Sequence, residues 1–320
     1  MHHEPSGPTY GVPVDERRVA VVVNPTKFAD LTAARERLDL AVTQLGFPPP
    51  AWYLTTPEDH GSGLARRLSD EGFGTVLVWG GDGTVTNVAH GLLHTPTRLG
   101  MLPAGTGNLL ARNLDVPLHL TSAVRTAYLG DDRCIDTLAV SLGGGNVHTS
   151  LVMTGIGWDA AMMDAGHRLK RRLGWGAYAL AGVRRLRDHP VRMRISVDGG
   201  EPQRMYGRSC LVANVGSLVA GLQLIPEATP DDGLLDVLVL DPTNPVDYAR
   251  TSWTVIRGAG SDADPARTWL RGREVMVSTH SAHERQVDGD PVGAGHGFHV
   301  RVRPQSLFVR VPPQTLDRPR

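Results

Sequence analysis

The sequence lacks three features that would each indicate a particular class of protein. Only two of its 320 residues are cysteine, and they show no CxxC spacing, so neither a disulfide framework nor a thiolate metal site is expected. No apolar run approaches the ~20 residues that a membrane-spanning helix needs. Lysine and arginine together number 33, as do aspartate and glutamate, and the resulting net charge of zero argues against nucleic acid as the main partner.

Several short enzyme motifs are absent as well. There is no HExxH sequence, the 13 histidines show no metal-ligand spacing, and no serine-nucleophile motif supports hydrolase chemistry. Aromatic residues make up 5% of the chain, whereas glycine and proline number 37 and 23, which is typical of a turn-rich α/β protein. Residues 1–17 contain no apolar stretch like that of a signal peptide, so we expect a disordered leader on a cytoplasmic protein.

The most informative stretch runs from Thr75 to Asn113 and contains the same short motif twice. In each copy an apolar segment leads into a glycine-rich turn and then into a helical pattern. Glycine lets backbone N–H groups approach a phosphate closely, and a helix N-terminus adds unsatisfied donors. Either turn alone is also typical of a plain strand-to-helix connection, but the pair predicts two neighbouring phosphate-binding loops. The residues are Gly80, Gly81, Asp82, Gly83, Thr84 and Asn87 in the first copy, and Gly105, Thr106, Gly107 and Asn108 in the second.

Asp82 is the one carboxylate in these loops. A carboxylate beside polyphosphate makes sense mainly when Mg²⁺ lies between them. The sequence GGDGT followed by PAGTGN resembles the diacylglycerol kinase catalytic-domain family, soluble bacterial lipid kinases that are related to sphingosine kinases and, more distantly, to NAD kinases. This resemblance implies ATP as the phosphate donor, Mg²⁺ as a cofactor and a lipid as the acceptor, with Asp82 among the catalytic residues.

The first apolar run, 18–23, ends in Asn24-Pro25-Thr26. Asn-Pro is typical of a plain turn, but its position after a buried strand favours contact with a nucleotide, because ligands of open α/β sheets bind at the carboxyl ends of the strands. The resemblance implies the same role for Asn24, Pro25 and Thr26, whereas Lys27-Phe28 departs from the family's usual Ser/Gly pair. It also implies that Thr55 contacts the nucleotide, although by itself Thr55 is more typical of a helix cap.

Two domains are predicted from a change of pattern near residue 130. Before it, strands alternate with helices, which indicates a Rossmann-like α/β nucleotide-binding domain with a parallel sheet over 18–130. After it, short strands with a period of two are separated by turns, which indicates a mainly antiparallel β-sandwich domain over 131–305. Residues 306–320 are expected to form a C-terminal strand and tail that could return to the first domain.

The second domain carries Asp288-Gly289-Asp290, two carboxylates around a glycine. Without context this pattern is typical of a hairpin turn. Phosphoryl transfer, however, needs a group that takes the proton of the acceptor hydroxyl. The family has Asp-Gly-Glu here, with the glutamate proposed as general base. The resemblance therefore implies Asp290 as the general base, with a side chain one methylene shorter, and Asp288 as its orienter or a Mg²⁺ partner. Donor and acceptor groups are expected to meet across a cleft between the domains.

A second acidic cluster, PEATPDDGL, covers residues 226–234. It resembles the family's loop that holds a structural Mg²⁺ through the aspartate before glycine and flanking backbone oxygens. This resemblance implies that Asp232 is a Mg²⁺ ligand, together with the carbonyl groups of Thr229 and Leu234. Oxygen ligands suit a hard cation. The alternative is a plain turn before the next strand.

A basic segment with aromatic residues, 157–180, interrupts the strand pattern. One interpretation is an amphipathic helix with solvated arginines that covers the sandwich. The other is a surface for peripheral membrane contact, in which aromatic side chains meet lipid and cations meet anionic headgroups. The residues predicted to make that contact are Lys170, Arg171, Arg172, Trp175 and Tyr178.

The expected function is that of an ATP-dependent lipid kinase that phosphorylates a hydroxyl of diacylglycerol or a similar lipid at the membrane surface. Homodimer formation stays open. Two alternatives remain: an NAD kinase-like enzyme, which shares GGDGT, and a catalytically weak nucleotide- or lipid-binding module, because the change from glutamate to aspartate falls at the proposed base. The Asp-Gly-Asp element, the Asp-Gly-Leu loop and the basic segment favour a lipid kinase over an NAD kinase.

Overall fold

The structure is a computed structural model that describes residues 15–157, 190–217, 225, 227–241, 247 and 267–313. The described residues divide into two compact units. The first comprises residues 15–134 together with 306–313, and the second comprises residues 135–305. Each unit has its own set of paired strands and its own hydrophobic core, and each is described by itself below.

The first unit is built on a parallel sheet. Its strands pair in the order β2-β1-β3-β4, and Val309, near the end of the last strand of the chain, pairs in parallel with Leu99 of β4. Every residue of β3 is buried, as expected of a strand covered on both faces. The bounds of the four strands are β1 Asp15–Val23, β2 Ala51–Leu54, β3 Phe73–Gly80 and β4 Arg98–Pro103.

Five helices and one 3₁₀ turn accompany these strands; three of the helices connect them, and the last two follow β4. Side chains of α1 and α5 share a core with β1, β3 and β4, in which Leu38, Leu77 and Val124 are fully buried. Helices α2 and α3 pack against each other so closely that a Cβ on Gly91 would overlap the Ser62 carbonyl oxygen. The bounds are η1 Pro25–Lys27, α1 Leu31–Thr43, α2 Ser62–Asp70, α3 Asp82–Leu92, α4 Leu109–Asn113 and α5 Leu120–Leu129.

The second unit is antiparallel. Its ladder runs β12-β11-β10-β7-β13-β14, β8 pairs with both β13 and β9, and β6 pairs with β5. The bounds are β5 Asp131–Ser141, β6 Val147–Ser150, β7 Met153–Gly157, β8 Val191–Val197, β9 Gln203–Gly207, β10 Ser209–Ala213, β11 Leu235–Leu240, β12 Arg267–Gly272, β13 Glu274–Val287 and β14 Asp290–Val311.

The long strand β13 explains how one ladder becomes two layers. Residues 275–279 pair with β8 and residues 285–287 pair with β7, and the register with β14 shifts between Ser278 and His283. A register shift of this kind bends a strand and lets it serve two sheets. Side chains from both sets of strands fill one core: Leu138, Ile156, Met193, Ile195, Cys210, Val237, Val277 and Val300.

The predicted fold class is confirmed: a parallel α/β unit is followed by an antiparallel, sandwich-like unit. Helix α3 begins at Asp82, directly after Gly81, which is the extended cap residue. Helix α2 begins at Ser62, because the Asp59 carboxylate accepts hydrogen bonds from the N–H groups of Gly61, Gly63 and Leu64. In the described part of the chain, no helix is long and apolar enough to cross a membrane.

Candidate functional site

The two glycine-rich loops follow adjacent strands and lie side by side. Gly80 at the end of β3 pairs with Pro103 at the end of β4, and the Ala104 N–H donates to the Gly80 carbonyl at 2.9 Å. Both loops therefore leave the carboxyl edge of the parallel sheet together. This is the edge at which open α/β sheets bind ligands.

Asp82 joins the second loop to the first. One of its carboxylate oxygens accepts from the Asn108 N–H at 2.9 Å and the other from the Leu109 N–H at 2.5 Å. These donors belong to the start of α4, so a side chain of the first loop caps the helix of the second. The sequence predicted two neighbouring loops; it gave no sign that this carboxylate is the bond between them.

Backbone packing between the loops explains two of the glycines. A Cβ on Gly105 would lie 2.8 Å from the Cα of Gly81, and a Cβ on Gly107 would lie 2.7 Å from an Asp82 carboxylate oxygen. The Asn108 side chain closes the second loop by accepting from the Gly105 N–H at 3.0 Å and donating to the Gly105 carbonyl at 2.9 Å. The loops thus approach each other through main chain, which a side chain at either glycine would prevent.

The turn after β1 is tied to the first loop. The Asn24 side-chain oxygen accepts from the Thr26 N–H at 3.1 Å and from the Thr26 hydroxyl at 2.8 Å, and its amide donates to the Thr84 hydroxyl at 3.2 Å. Thr84 lies over Gly80, where an added Cβ would come within 2.6 Å of the Thr84 Cβ. Three separately predicted segments therefore form one cluster, made of Asn24, Pro25, Thr26, Gly80, Gly81, Asp82, Thr84, Gly105, Gly107 and Asn108.

Three further residues that the sequence predicts to contact the nucleotide were not included in this cluster. The Thr55 N–H donates to the carbonyl of Val23, the last residue of β1, at 2.9 Å. The Asn87 amide donates to the Gly83 carbonyl at 2.7 Å, a bond within the first turns of α3. Thr106 is exposed in the second loop. Their contact with a nucleotide stays a prediction, as does that of Gly83.

In the second unit, Asp288 and Gly289 form the turn between β13 and β14. Both have positive φ, 49° and 88°, and Val287 pairs with Asp290 across them. This is the two-residue hairpin turn for which Asp-Gly is the favoured sequence. Asp290 is exposed as the first residue of β14. Its role as a base stays a prediction.

The Asp288 side chain points into the unit. Its carboxylate accepts from the Ser150 hydroxyl at 2.7 Å, the Leu151 and Val152 N–H groups at 2.9 Å each, and the Met153 N–H at 3.0 Å. Burial raises the pKa of the Asp288 carboxyl, and these four hydrogen bonds act in the opposite direction. The arrangement fixes the hairpin to the segment before β7, so it holds the residue that follows the turn, Asp290, in place. The predicted Mg²⁺ contact of Asp288 stays a prediction.

In the loop before β11, the exposed residue Asp232 makes several side-chain contacts. Its oxygens contact the Thr229 hydroxyl at 2.7 Å, the Leu234 N–H at 2.9 Å and the Arg271 guanidinium, which also lies 3.4 Å from Asp236. A guanidinium therefore stands beside Asp232 where a divalent cation would have to bind, and the described residues contain no cluster of three acidic, histidine or cysteine side chains arranged for a metal. A Mg²⁺ ion would compete with this guanidinium for the Asp232 carboxylate, and metal ligation by Thr229, Asp232 and Leu234 stays a prediction.

Asp136 is a residue that the sequence patterns missed. It is fully buried, its carboxylate accepts from the Gly233 and Gln305 N–H groups at 2.7 Å each, and its own N–H donates to the Pro230 carbonyl at 2.6 Å. Burial raises the pKa of this carboxyl, the two hydrogen bonds lower it, and the neighbouring acids at 231 and 232 raise it further. The available signal was an aspartate inside the apolar run of β5. The hydrogen bonds of Asp136 to Pro230 and Gly233 therefore hold the acidic loop, residues 226–234, in place.

Two family models match this chain. Residues 18–140 match the model of the diacylglycerol kinase catalytic domain, and residues 151–311 match that of the YegS C-terminal NAD kinase beta sandwich-like domain. A protein of Pseudomonas aeruginosa named "Probable lipid kinase YegS-like" is 32% identical over 261 residues, which cover 78% of this chain and 82% of that protein. This chain belongs to the diacylglycerol kinase catalytic-domain family.

Two further relatives of this chain differ from it in length or in sequence identity. "Uncharacterized protein sll0036" of Synechocystis is 28% identical over 256 residues, which cover 78% of this chain but only 57% of that protein. A crystal structure of a protein described as a diacylglycerol kinase from Bacillus anthracis superposes with a TM-score of 0.70 over 92% of this chain and 97% of that one, at 18% sequence identity. At this identity the superposition shows the fold alone.

The five residues predicted to contact lipid or membrane, Lys170, Arg171, Arg172, Trp175 and Tyr178, lie outside the described residues. Their role therefore rests on the sequence pattern. For the family member in hand, the cluster at the carboxyl edge of the parallel sheet is the best-defined candidate for the donor side of the reaction.

Proposed function

We propose that this protein is a lipid kinase that transfers the γ-phosphate of ATP to a hydroxyl group of diacylglycerol or a similar lipid. The observation that carries the proposal is the pair of glycine loops joined by Asp82 at the carboxyl edge of a parallel sheet. Main-chain N–H groups at such loops can approach a phosphate without interference from side chains. Membership of the diacylglycerol kinase family supports a phosphoryl-transfer reaction at that place.

In this reaction the acceptor hydroxyl oxygen forms a bond with the γ-phosphorus, the bond to the β,γ-bridging oxygen breaks, and ADP leaves. The hydroxyl proton must go to a base. We assign that role to Asp290. Its support is the hairpin turn, which Asp288 anchors through four hydrogen bonds, so that an exposed carboxylate is held on an ordered strand end. Mg²⁺ would enter with the nucleotide, whose phosphate oxygens and bound waters are its ordinary ligands, and would neutralise phosphate charge.

The test is a transfer assay with labelled ATP and Mg²⁺, in which diacylglycerol in mixed micelles and NAD are offered as separate acceptors. We expect label in the lipid phase. Replacement of Asp290 by Asn is expected to lower turnover by about 100-fold or more, because a positioned base contributes about 10²–10⁴-fold. Replacement of Asp290 by Glu, the residue that the family resemblance leads one to expect, should retain most of the activity.

Asp198→Asn is the matched control. Asp198 also stands at a hairpin turn of the second unit, and one of its oxygens accepts from the N–H groups of Arg273 and Glu274 at 2.7 and 2.9 Å, which an asparagine oxygen can still do. This variant should turn over like the wild type. Label on NAD and not on lipid would replace the proposed function by an NAD kinase activity, and near wild-type turnover of the Asp290→Asn variant would end the assignment of the base.

A further inference from the structure

Lys27 lies where the two glycine loops meet. A Cβ on Gly81 would lie 3.5 Å from the Cα of Gly105, 3.6 Å from Cε of Lys27 and 3.8 Å from its Nζ. The side chain of Lys27 thus runs along the first loop, and its ammonium group reaches the point at which the second loop makes its closest approach. Gly81 is buried and Lys27 is exposed, so the ammonium group covers the junction from the solvent side.

Local contacts fix the turn that carries Lys27. Lys27 is the last residue of the 3₁₀ turn Pro25–Lys27, and the Asn24 side chain caps the start of that turn. The next residue, Phe28, packs its ring edge-on against Trp79 of β3, with ring centroids 4.6 Å apart. Phe28 therefore anchors the turn to the sheet, and Lys27 is directed toward Gly81 by a backbone that is held on both sides.

Among the described residues no carboxylate forms an ion pair with Lys27, and two acids close to it in the chain or beside Gly81, Asp30 and Asp82, accept hydrogen bonds from backbone N–H groups. Asp30 caps α1 through the Ala33 N–H at 3.0 Å, and Asp82 accepts from the N–H groups of the second loop. An ammonium group that is placed over N–H-rich loops and forms no ion pair of its own favours the binding of an anion at that place.

Composition adds an independent observation. Of the 33 basic residues, 31 are arginine and two are lysine, Lys27 and Lys170. In a chain that otherwise uses arginine for surface charge, a lysine at the junction of two phosphate-binding loops indicates a requirement for a compact ammonium group. Lysine binds phosphate as a point charge on a flexible stem, whereas arginine needs room for a planar fork.

We propose that Lys27 is a nucleotide-binding residue whose ammonium group contacts the phosphate chain of the donor at the junction of Gly81 and Gly105. This inference rests on the proposed function, since it requires a nucleotide at the glycine loops. It assigns a purpose to the position at which the chain departs from the small residues expected there. Phe28 and Lys27 act as a pair, one anchoring the turn and the other supplying the charge.

The first experiment measures nucleotide affinity in the absence of lipid, by calorimetric titration of the full chain with ATP, ADP, AMP and adenosine. Lys27→Met keeps the apolar stem and removes the charge. We expect it to raise the Kd of ATP about tenfold, to raise that of ADP and AMP by progressively less, and to leave adenosine unchanged, because the attraction grows with the number of phosphates. Lys27→Arg retains the charge but not the compact ammonium group, so it should bind ATP more tightly than Lys27→Met and more weakly than the wild type.

Arg67→Met is the charge-matched control. Arg67 is an exposed cation of α2 whose Nε lies 3.9 Å from Glu71, a surface pair of little energetic weight. The Arg67→Met variant should bind ATP, ADP, AMP and adenosine with the same affinities as the wild type. If Lys27→Met binds ATP as tightly as the wild type does, the inference is wrong while the proposed function stands. If the wild-type protein binds no nucleotide at all, both are wrong.

A second measurement uses the unaltered protein and so does not depend on the folding of a variant. The chain contains two lysines, so amine acetylation at low reagent concentration can be quantified at Lys27 and Lys170 by mass spectrometry of their peptides. Saturating ATP should lower acetylation of Lys27 several-fold and leave Lys170 unchanged. Equal acetylation of Lys27 with and without saturating ATP would overturn the inference.

Discussion

The contact of Asp82 with the second loop predicts an effect on stability that precedes any effect on catalysis. Each Asp82 oxygen accepts one backbone N–H, at 2.9 and 2.5 Å, so an asparagine can satisfy only one of them and directs an NH₂ group at the other. A partly buried N–H left without an acceptor costs about 1–3 kcal/mol. We expect Asp82→Asn to lower the free energy of unfolding by about 1–2 kcal/mol, because the site is only half-buried, and the melting temperature by about 4–8 °C.

The assay separates this role from that of a metal ligand. Thermal and urea unfolding are measured without nucleotide and with EDTA present, and nucleotide affinity is then measured with and without Mg²⁺. If Asp82 joins the loops, the variant is less stable in EDTA and binds ATP more weakly in both conditions. If the variant is as stable as the wild type in EDTA and loses affinity only when Mg²⁺ is present, the structural reasoning is refuted.

Asp59→Asn is the control for the loss of a helix cap. Both oxygens of Asp59 also accept backbone N–H groups, those of Gly61, Gly63 and Leu64 at the start of α2. This variant should lose a similar amount of stability, about 1–2 kcal/mol. It should keep the ATP affinity of the wild type, because its donors are not part of the two glycine loops.

Two further predictions concern the second unit. Burial raises the folded-state pKa of the Asp288 carboxyl, so its contribution to stability is fully present below the unfolded-state pKa near ~4 and is lost as the pH rises through the folded-state pKa. Asp288→Asn abolishes this dependence and leaves the Leu151 N–H facing an amide. Urea unfolding should therefore show that the variant's free energy of unfolding is lower than that of the wild type by about 1–3 kcal/mol, and that this difference shrinks from pH 4 upward. A difference that grows with pH would show that the hydrogen bonds outweigh burial. Because Arg271 supplies the cation beside Asp232 and Asp236, we expect EDTA to leave the wild-type melting temperature unchanged and Arg271→Met to lower it by about 2–6 °C; a clear drop of the wild-type value in EDTA would contradict this.

The sequence alone was sufficient for the two-unit fold and for the arrangement of the two glycine loops beside the turn after β1. The apolar run that forms β1 and the two strand-to-glycine segments are local patterns, and their period and punctuation indicate parallel strands followed by loops at one edge of a sheet. Because parallel strands end at the same edge, Asn24, Gly80 and Gly105 had to come together once those strands formed. The structure bears out that arrangement.

Other features depended on which groups the tertiary structure brings into contact. The pattern GGDGT does not tell whether Asp82 faces a metal or a neighbouring loop, since both need a carboxylate at the same place. Only the packing of α4 against the first loop presents N–H groups to the Asp82 carboxylate. Likewise Asp136 carries no motif, because its partners lie about 100 and 170 residues away in the chain. Periodicity determines the elements of this protein. The partners of its polar side chains are decided by packing between distant segments, which a local pattern does not encode.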